Sequence, residues 1–356
     1  MGVSFMDERT NIIRAIRRQN PDHVPFGFTM CDSLIKSFEE KTGSNDYSEY
    51  FNMPFRYVDI LPTQKHDLYS KYYEKLPKGA YIDDWGVGQV PAGFEHFTKM
   101  LHPMENFTEP QQVWDFPLPD LLEDYRWTDF GKEVARLKAR GLLTVYFAVQ
   151  IFEYSWYLRG LDNLLLDMMD NEEMARACLD RMTGIQCRLA AKAAADGVDM
   201  IVYGDDVGTQ KAMMMNPVLW RKWLKPTMQK AIRAAKDINP DLIAYYHSDG
   251  MIYDIIPDLI EIGVDVLNPV QPECMDPEKV KNLYGNRLSF WGTIGTQTTM
   301  PFGSPEEVEE KVKLMIKTVG KNGGLVIAPT HILEPEVPWE NILAFVEAVR
   351  KHGKYN

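Results

Sequence analysis

The chain has 356 residues, 45% of them apolar, enough to build a sizeable core. Its 39 Lys and Arg against 51 Asp and Glu leave a net charge of −12. That balance argues against nonspecific nucleic-acid binding, which needs a basic footprint, and against docking on anionic lipid.

The opening residues pass from Met1 into the charged Asp7-Glu8-Arg9 without an apolar stretch, so no secretory signal is expected. No later run is long and apolar enough to suggest a membrane span. Cysteines at 31, 178, 187 and 274 form no C-x-x-C pair, and reduced thiols in a cytoplasmic protein are expected.

In chain order, a helix is expected over Glu8 to Gln19 and a strand over Val24 to Met30. Residues 31–140 are rich in Tyr, Phe and Pro, and read as an elaboration or lid around a barrel mouth. A further strand over Ala80 to Val90 is expected there, and a second independent domain is the alternative. From about residue 140, short β-branched or aromatic runs alternate with stretches of helical period. The strands expected are Leu143 to Gln150, Val198 to Asp206, Leu242 to Asp249, Val264 to Val270, Leu288 to Gly295 and Leu325 to His331. The helices between them are Met174 to Asp196, Pro217 to Asp237, Met251 to Ile262, Pro277 to Tyr284, Pro305 to Val319 and Trp339 to His352. Asn216-Pro217, Asp276-Pro277 and Ser304-Pro305-Glu306-Glu307 place a capping side chain before a first-turn proline, the last as a capping box. Gly263, Gly285 and Gly320 follow helices where a left-handed residue is wanted. Such alternation implies a parallel sheet, and eight strands close an α/β (β/α)8 TIM barrel. Residues 1–356 are read as a single barrel domain.

A barrel gathers its chemistry after its strands. Gln150 and Glu153 follow the first of the late strands, and Tyr203, Asp205 and Asp206 end the second. His247 and Asp249 end the third, followed in turn by Asn268, Thr293, and the pair His331 and Glu334. At most one of Asp205 and Asp206 enters a pocket from a regular strand, because neighbours face opposite ways. His247 and Asp249, two apart, share a side. With His331 they offer nitrogen and oxygen donors that suit Zn²⁺ with an open position, or Fe²⁺. A histidine bonded to Asp249 or to a carbonyl, with no metal, is the plainer alternative.

Several segments carry a family resemblance. They are His247-Ser248-Asp249-Gly250, Glu261 to Val266, Trp291-Gly292-Thr293-Ile294-Gly295, Pro329-Thr330-His331 through Ile342, and Asp205 to Gln210. The opening Asn11 to Pro25 has the same look. Together they resemble the uroporphyrinogen decarboxylase superfamily, whose fold is the same barrel. Thr29-Met30-Cys31-Asp32-Ser33 lacks the arginines that the true decarboxylase carries after its first strand. The resemblance is nearer the cobamide-dependent methyltransferase and O-demethylase branch, whose thiol-methylating members use an H-x-C…C zinc site. His247-x-Asp249…His331 stands at the matching positions with harder donors, and His331 also matches a histidine of the decarboxylase.

The resemblance implies a methyltransferase that works with a small methyl donor or acceptor and with a cobalamin-type corrinoid carried on a partner protein. His247, Asp249 and His331 would hold Zn²⁺, and Asp205 or Asp206 would handle a proton. Gln150, Glu153, Tyr203, Asn268, Thr293 and Glu334 would contact the substrate. A homodimer is also expected. The alternatives are a carboxy-lyase acting on a porphyrinogen or related carboxylate, and a non-catalytic binding protein on the same scaffold.

Overall fold

The computed structural model describes residues 6–64, 68–94 and 97–355. The strands are β1 (Phe55–Tyr57), β2 (Tyr81–Ile82), β3 (Gly88–Phe94), β4 (Phe97–Leu101), β5 (Leu143–Phe147), β6 (Met200–Gly204), β7 (Ile243–His247), β8 (Val266–Asn268), β9 (Ser289–Ile294) and β10 (Leu325–Pro329). The helices are α1 (Glu8–Arg17), α2 (Asp32–Thr42), α3 (Tyr47–Tyr50), α4 (Pro110–Asp115), α5 (Phe130–Ala139), α6 (Ile151–Arg159) and α7 (Leu161–Asp170). They continue as α8 (Glu172–Ala195), α9 (Pro217–Lys236), α10 (Ile256–Glu261), α11 (Pro277–Tyr284), α12 (Thr299–Phe302), α13 (Pro305–Thr318) and α14 (Trp339–His352). No described helix is long and apolar enough to cross a membrane.

The main sheet has seven parallel strands in the order β1-β5-β6-β7-β8-β9-β10. Strands β6, β9 and β10 are buried along their whole length, as strands packed on both faces must be. Helices cover the outside, with α8 lying along α9 and α13 along α14. The caps form as expected. Asn216 accepts from Val218 N–H, Asp276 from Glu278 and Lys279 N–H, and Ser304 and Glu307 make the capping box. Of the three glycines expected to be left-handed, only Gly263 is (φ 98°). Gly285 is right-handed (φ −65°), and the turn after Gly320 takes its positive φ at Asn322, Gly323 and Gly324.

The segment Val24 to Met30 supplies the remaining wall and closes the TIM barrel. It runs parallel to β10, bridging Phe26 to Ile327 and Met30 to Leu333, while Gly27 N–H donates to the Ile327 carbonyl. On its other side Gly27 lies on the Phe55 ring of β1. A Cβ there would come within 2.3 Å of that ring, so only glycine permits the approach. The strand expected over Ala80 to Val90 is not a barrel strand. That region forms the antiparallel sheet β2-β3-β4, and the barrel position is taken by β1. Three residues are too short to show a period.

This insertion is tied to the barrel through α6. Trp85, in the turn between β2 and β3, has its ring centroid 4.4 Å from that of Tyr154. Arg159, in the last turn of α6, donates to the carbonyls of Met104, Glu105 and Phe107 (2.7, 3.1 and 3.0 Å) and to Asp167 (2.8 Å).

At the opposite end of the barrel Asp199 joins three elements. Its carboxylate accepts from Arg9 of α1 (2.6 and 3.0 Å) and from the backbone N–H and hydroxyl of Thr144 (3.1 Å each), and it pairs with Lys138 (3.0 Å). Burial raises its pKa, but the Arg9 bond, with Thr144 and Lys138, outweighs burial and holds it below the usual aspartate value. The folded state therefore binds this proton less tightly than the unfolded chain. The stabilisation is complete above the unfolded pKa of about 4 and is lost as pH falls through the lower folded value. Asp199→Asn is expected to cost about 2 kcal/mol at neutral pH. The gap from wild type should close below about pH 4, as read by urea unfolding across pH. A gap that widens on acidification contradicts this account.

Candidate functional site

Strand parity sets which side chains enter the barrel. Val202, Tyr245 and His247 face its C-terminal cavity, while Tyr203 faces outward. His247 ends β7, opposite Asn268 at the end of β8. Its Nδ1 lies 2.5 Å from Asn268 Oδ1, and Asn268 Nδ2 donates to the Trp291 carbonyl of β9 (2.8 Å).

The loops after β6 and β7 run backbone against backbone. A Cβ on Gly208 would lie 2.3 Å from the Asp249 carbonyl oxygen, and one on Gly250 (φ 80°) 2.6 Å from that of Thr209. Met251 N–H donates to Thr209 O (2.8 Å), and Asp249 N–H donates to Asp206 Oδ1 (2.8 Å). Glycine at both positions thus sets the two carboxylates side by side. Ligand-capable atoms of Asp206, His247 and Asp249 lie within 4.8 Å of one another. His247 Nε2 is 3.6 Å from Asp206 Oδ1.

The expected triple is therefore redrawn. Asp206 takes the third place in the tight group, and His331, half-exposed, reaches Asp249 from the rim (Nε2 to Oδ2, 3.7 Å). Register explains the change, because Gly204 pairs with His247 on the adjacent strand and brings the β6 loop closer than the loop after β10.

Negative charge dominates here. Burial lowers the His247 pKa, but Asp206, Asp249 and the Asn268 bond outweigh it and the net shift is upward. Burial raises Asp249, against the pull of His247. Burial, then Asp206, raises Glu153. Asp249 Oδ1 is buried and has no hydrogen-bond partner. Two carboxylates and an imidazole, one oxygen of them unpartnered, form a donor set that fits a divalent cation.

The other expected site residues divide. Asp205 turns away from Asp206 and caps α6, its Oδ1 accepting from Phe152 and Glu153 N–H (2.7 and 3.0 Å). Burial, then Glu153, pushes its carboxyl well up, against those two bonds. Glu153 is buried beside Asp206, accepting from Tyr157 hydroxyl (2.9 Å) and Asp206 N–H (3.2 Å). Gln150 precedes α6 and lies across Gly204, where a Cβ would come within 2.4 Å of its Cγ. Tyr203 is fully buried near Cys187 of α8, away from the cavity. Thr293 is also fully buried, at φ 84°, a strained conformation for a β-branched residue. Asn268 lines the cavity, but its amide is engaged at both ends. Glu334 is half-buried in the loop before α14.

The cavity measures about 340 Å³. Its rings are Phe28, Phe55, Tyr57, Phe147, Tyr245 and Trp291, and its described lining residues include no Lys or Arg. Apart from Trp291 in the Trp-Gly-Thr-Ile-Gly segment, these rings carry no signal in the sequence, because they are scattered over several distant strands. A larger cavity of about 1130 Å³ lies by the strand starts, near His23 and Lys354. In this fold chemistry gathers after the strands, so the smaller cavity is the candidate site.

The profile of the family described as Uroporphyrinogen decarboxylase (URO-D) matches residues 126–352. The chain belongs to that family. Over 153 residues, 43% of this chain, it is 26% identical to the methylcobamide:CoM methyltransferase MtaA of Methanosarcina barkeri. Over the same length it is 24% identical to the protein of that name from Methanosarcina barkeri (strain Fusaro / DSM 804). The match spans 41% of each relative's own length. Among solved structures, a methyltransferase from Methanosarcina mazei superposes with a TM-score of 0.68 at 17% identity, over 98% of this chain and 99% of that one. At that identity the likeness establishes the barrel fold alone.

Proposed function

We propose that this URO-D family chain is an enzyme that moves a methyl group between a small methylated substrate and a corrinoid carried by a partner protein. The observation that carries the reading is a ring-lined cavity, with no Lys or Arg among its described lining residues, that ends at His247, beside Asp206 and Asp249. The relatives named for methylcobamide methyl transfer support it. Asp206, His247 and Asp249 would hold a divalent cation such as Zn²⁺, with His331 in reach of Asp249. Such a cation would polarise the heteroatom that bears the methyl group. The aromatic walls exclude water and orient a small apolar substrate. Glu153, whose neutral form is favoured by burial and Asp206, stands beside the group as a residue that can handle a proton.

A porphyrinogen carboxy-lyase needs cationic partners such as arginine for its substrate's several carboxylates, and the described lining residues include no Arg or Lys. Mixing the protein with cob(I)alamin and a panel of methoxylated aromatics and methylamines tests the proposal. Conversion of the cob(I)alamin spectrum to that of methylcobalamin with one of them is expected. No conversion with any, together with release of CO₂ from uroporphyrinogen, refutes it.

A further inference from the structure

We propose that Asn268 is a positioning residue that fixes which nitrogen of His247 is offered to a cation. The inference rests on the metal-assisted reading above and assigns Asn268 a role other than substrate contact. Asn268 stands opposite His247 in the β7–β8 register. Its Nδ2 is committed to the Trp291 carbonyl, which can only accept. The flipped amide would set two acceptors, Asn268 Oδ1 and Trp291 O, against each other. The amide oxygen therefore faces His247, and it too can only accept.

Nδ1 must then carry the ring hydrogen, and the neutral ring keeps its lone pair on Nε2. Nε2 is the nitrogen that lies 3.6 Å from Asp206 Oδ1. A bridge across three adjacent strands thus sets the tautomer and ring angle before any cation arrives. An amide does this without adding a charge beside Asp206, Asp249 and Glu153, whereas a carboxylate would add one.

Zn²⁺ affinity, read by competition with a chromogenic chelator, is expected to fall about 10–100-fold in Asn268→Ala. Asn268→Asp keeps the acceptor for Nδ1 but sets a carboxylate oxygen against the Trp291 carbonyl and adds a charge, so its affinity should fall less than that of Ala without matching wild type. Asn268→Leu, which keeps the branching and heavy-atom count of Asn but has no acceptor, carries the same expectation as Ala if the Ala variant fails to fold. Nitrogen-15 spectra of histidine-labelled, cation-free protein at alkaline pH, where the ring is neutral, give a second readout. Wild type and Asn268→Asp should carry the hydrogen on Nδ1, and the Ala or Leu variant should lose that preference. Unchanged Zn²⁺ affinity in the Ala or Leu variant overturns the proposal, as does a wild-type ring with its hydrogen on Nε2. If wild type binds no Zn²⁺, the metal-assisted reading falls, and the tautomer measurement alone decides the role of Asn268.

Discussion

His247→Ala is expected to leave a folded protein that retains no stoichiometric divalent cation and transfers methyl groups about a thousandfold more slowly, a loss of about 4 kcal/mol in transition-state stabilisation. The imidazole is the one nitrogen donor in the tight group. Without it Asp206 and Asp249 face each other with no opposing charge between them, and Asp249 Oδ1 is already buried without a partner. Fold stability should change little, because His247 sits at a strand end whose ladder is made by backbone groups. Elemental analysis, the cob(I)alamin assay and thermal unfolding on the same preparation check all three parts. Wild-type metal content with a wild-type rate would remove His247 from the site.

Arg159→Ala is expected to cost about 3–5 kcal/mol of folding stability, the range seen when one partner of a buried ion pair is deleted. Its side chain and that of Asp167 are each only 9% exposed. The guanidinium also serves the Met104, Glu105 and Phe107 carbonyls, which would be left without that donor. Arg159→Lys should recover only part of the loss, since a single ammonium cannot reproduce the planar fork. Chemical denaturation measures both variants. A loss below about 1 kcal/mol for Ala would show that the pair is not a clamp. Because α6 also carries Glu153, the Ala variant should disturb the site as well as the insertion.

The late βα alternation was legible because its elements have length, period and punctuation. Ser304-Pro305-Glu306-Glu307 announces α13, and Asn216-Pro217 announces α9. β1 was not legible, since Phe55–Tyr57 carries no pattern. At the site, His247 and Asp249 could be paired from their spacing alone. Asp206 could not be chosen over His331, because that depends on strand register and on two glycines facing each other across different loops. Tyr203 was misplaced by one residue of parity. Val202, its neighbour, lines the cavity, and a one-residue shift exchanges inside for outside. Asn268 was found as a strand-end residue, but its partners only appear once β7, β8 and β9 lie together.

The closing wall of the barrel has a further consequence. Val24 to Met30 is laced to β10 by peptide hydrogen bonds. Towards β1, among the described residues, it is joined by no strand ladder and rests on the contact of Gly27 with the Phe55 ring. Phe28 on one side of that line and Phe55 and Tyr57 on the other all border the cavity. Side-chain packing can slide where a peptide ladder cannot, so this seam is the direction in which the chamber can dilate to admit a bulkier guest without unfastening a strand pair. Amide exchange should register it as faster protection loss at residues 26–30 than across β6 and β7.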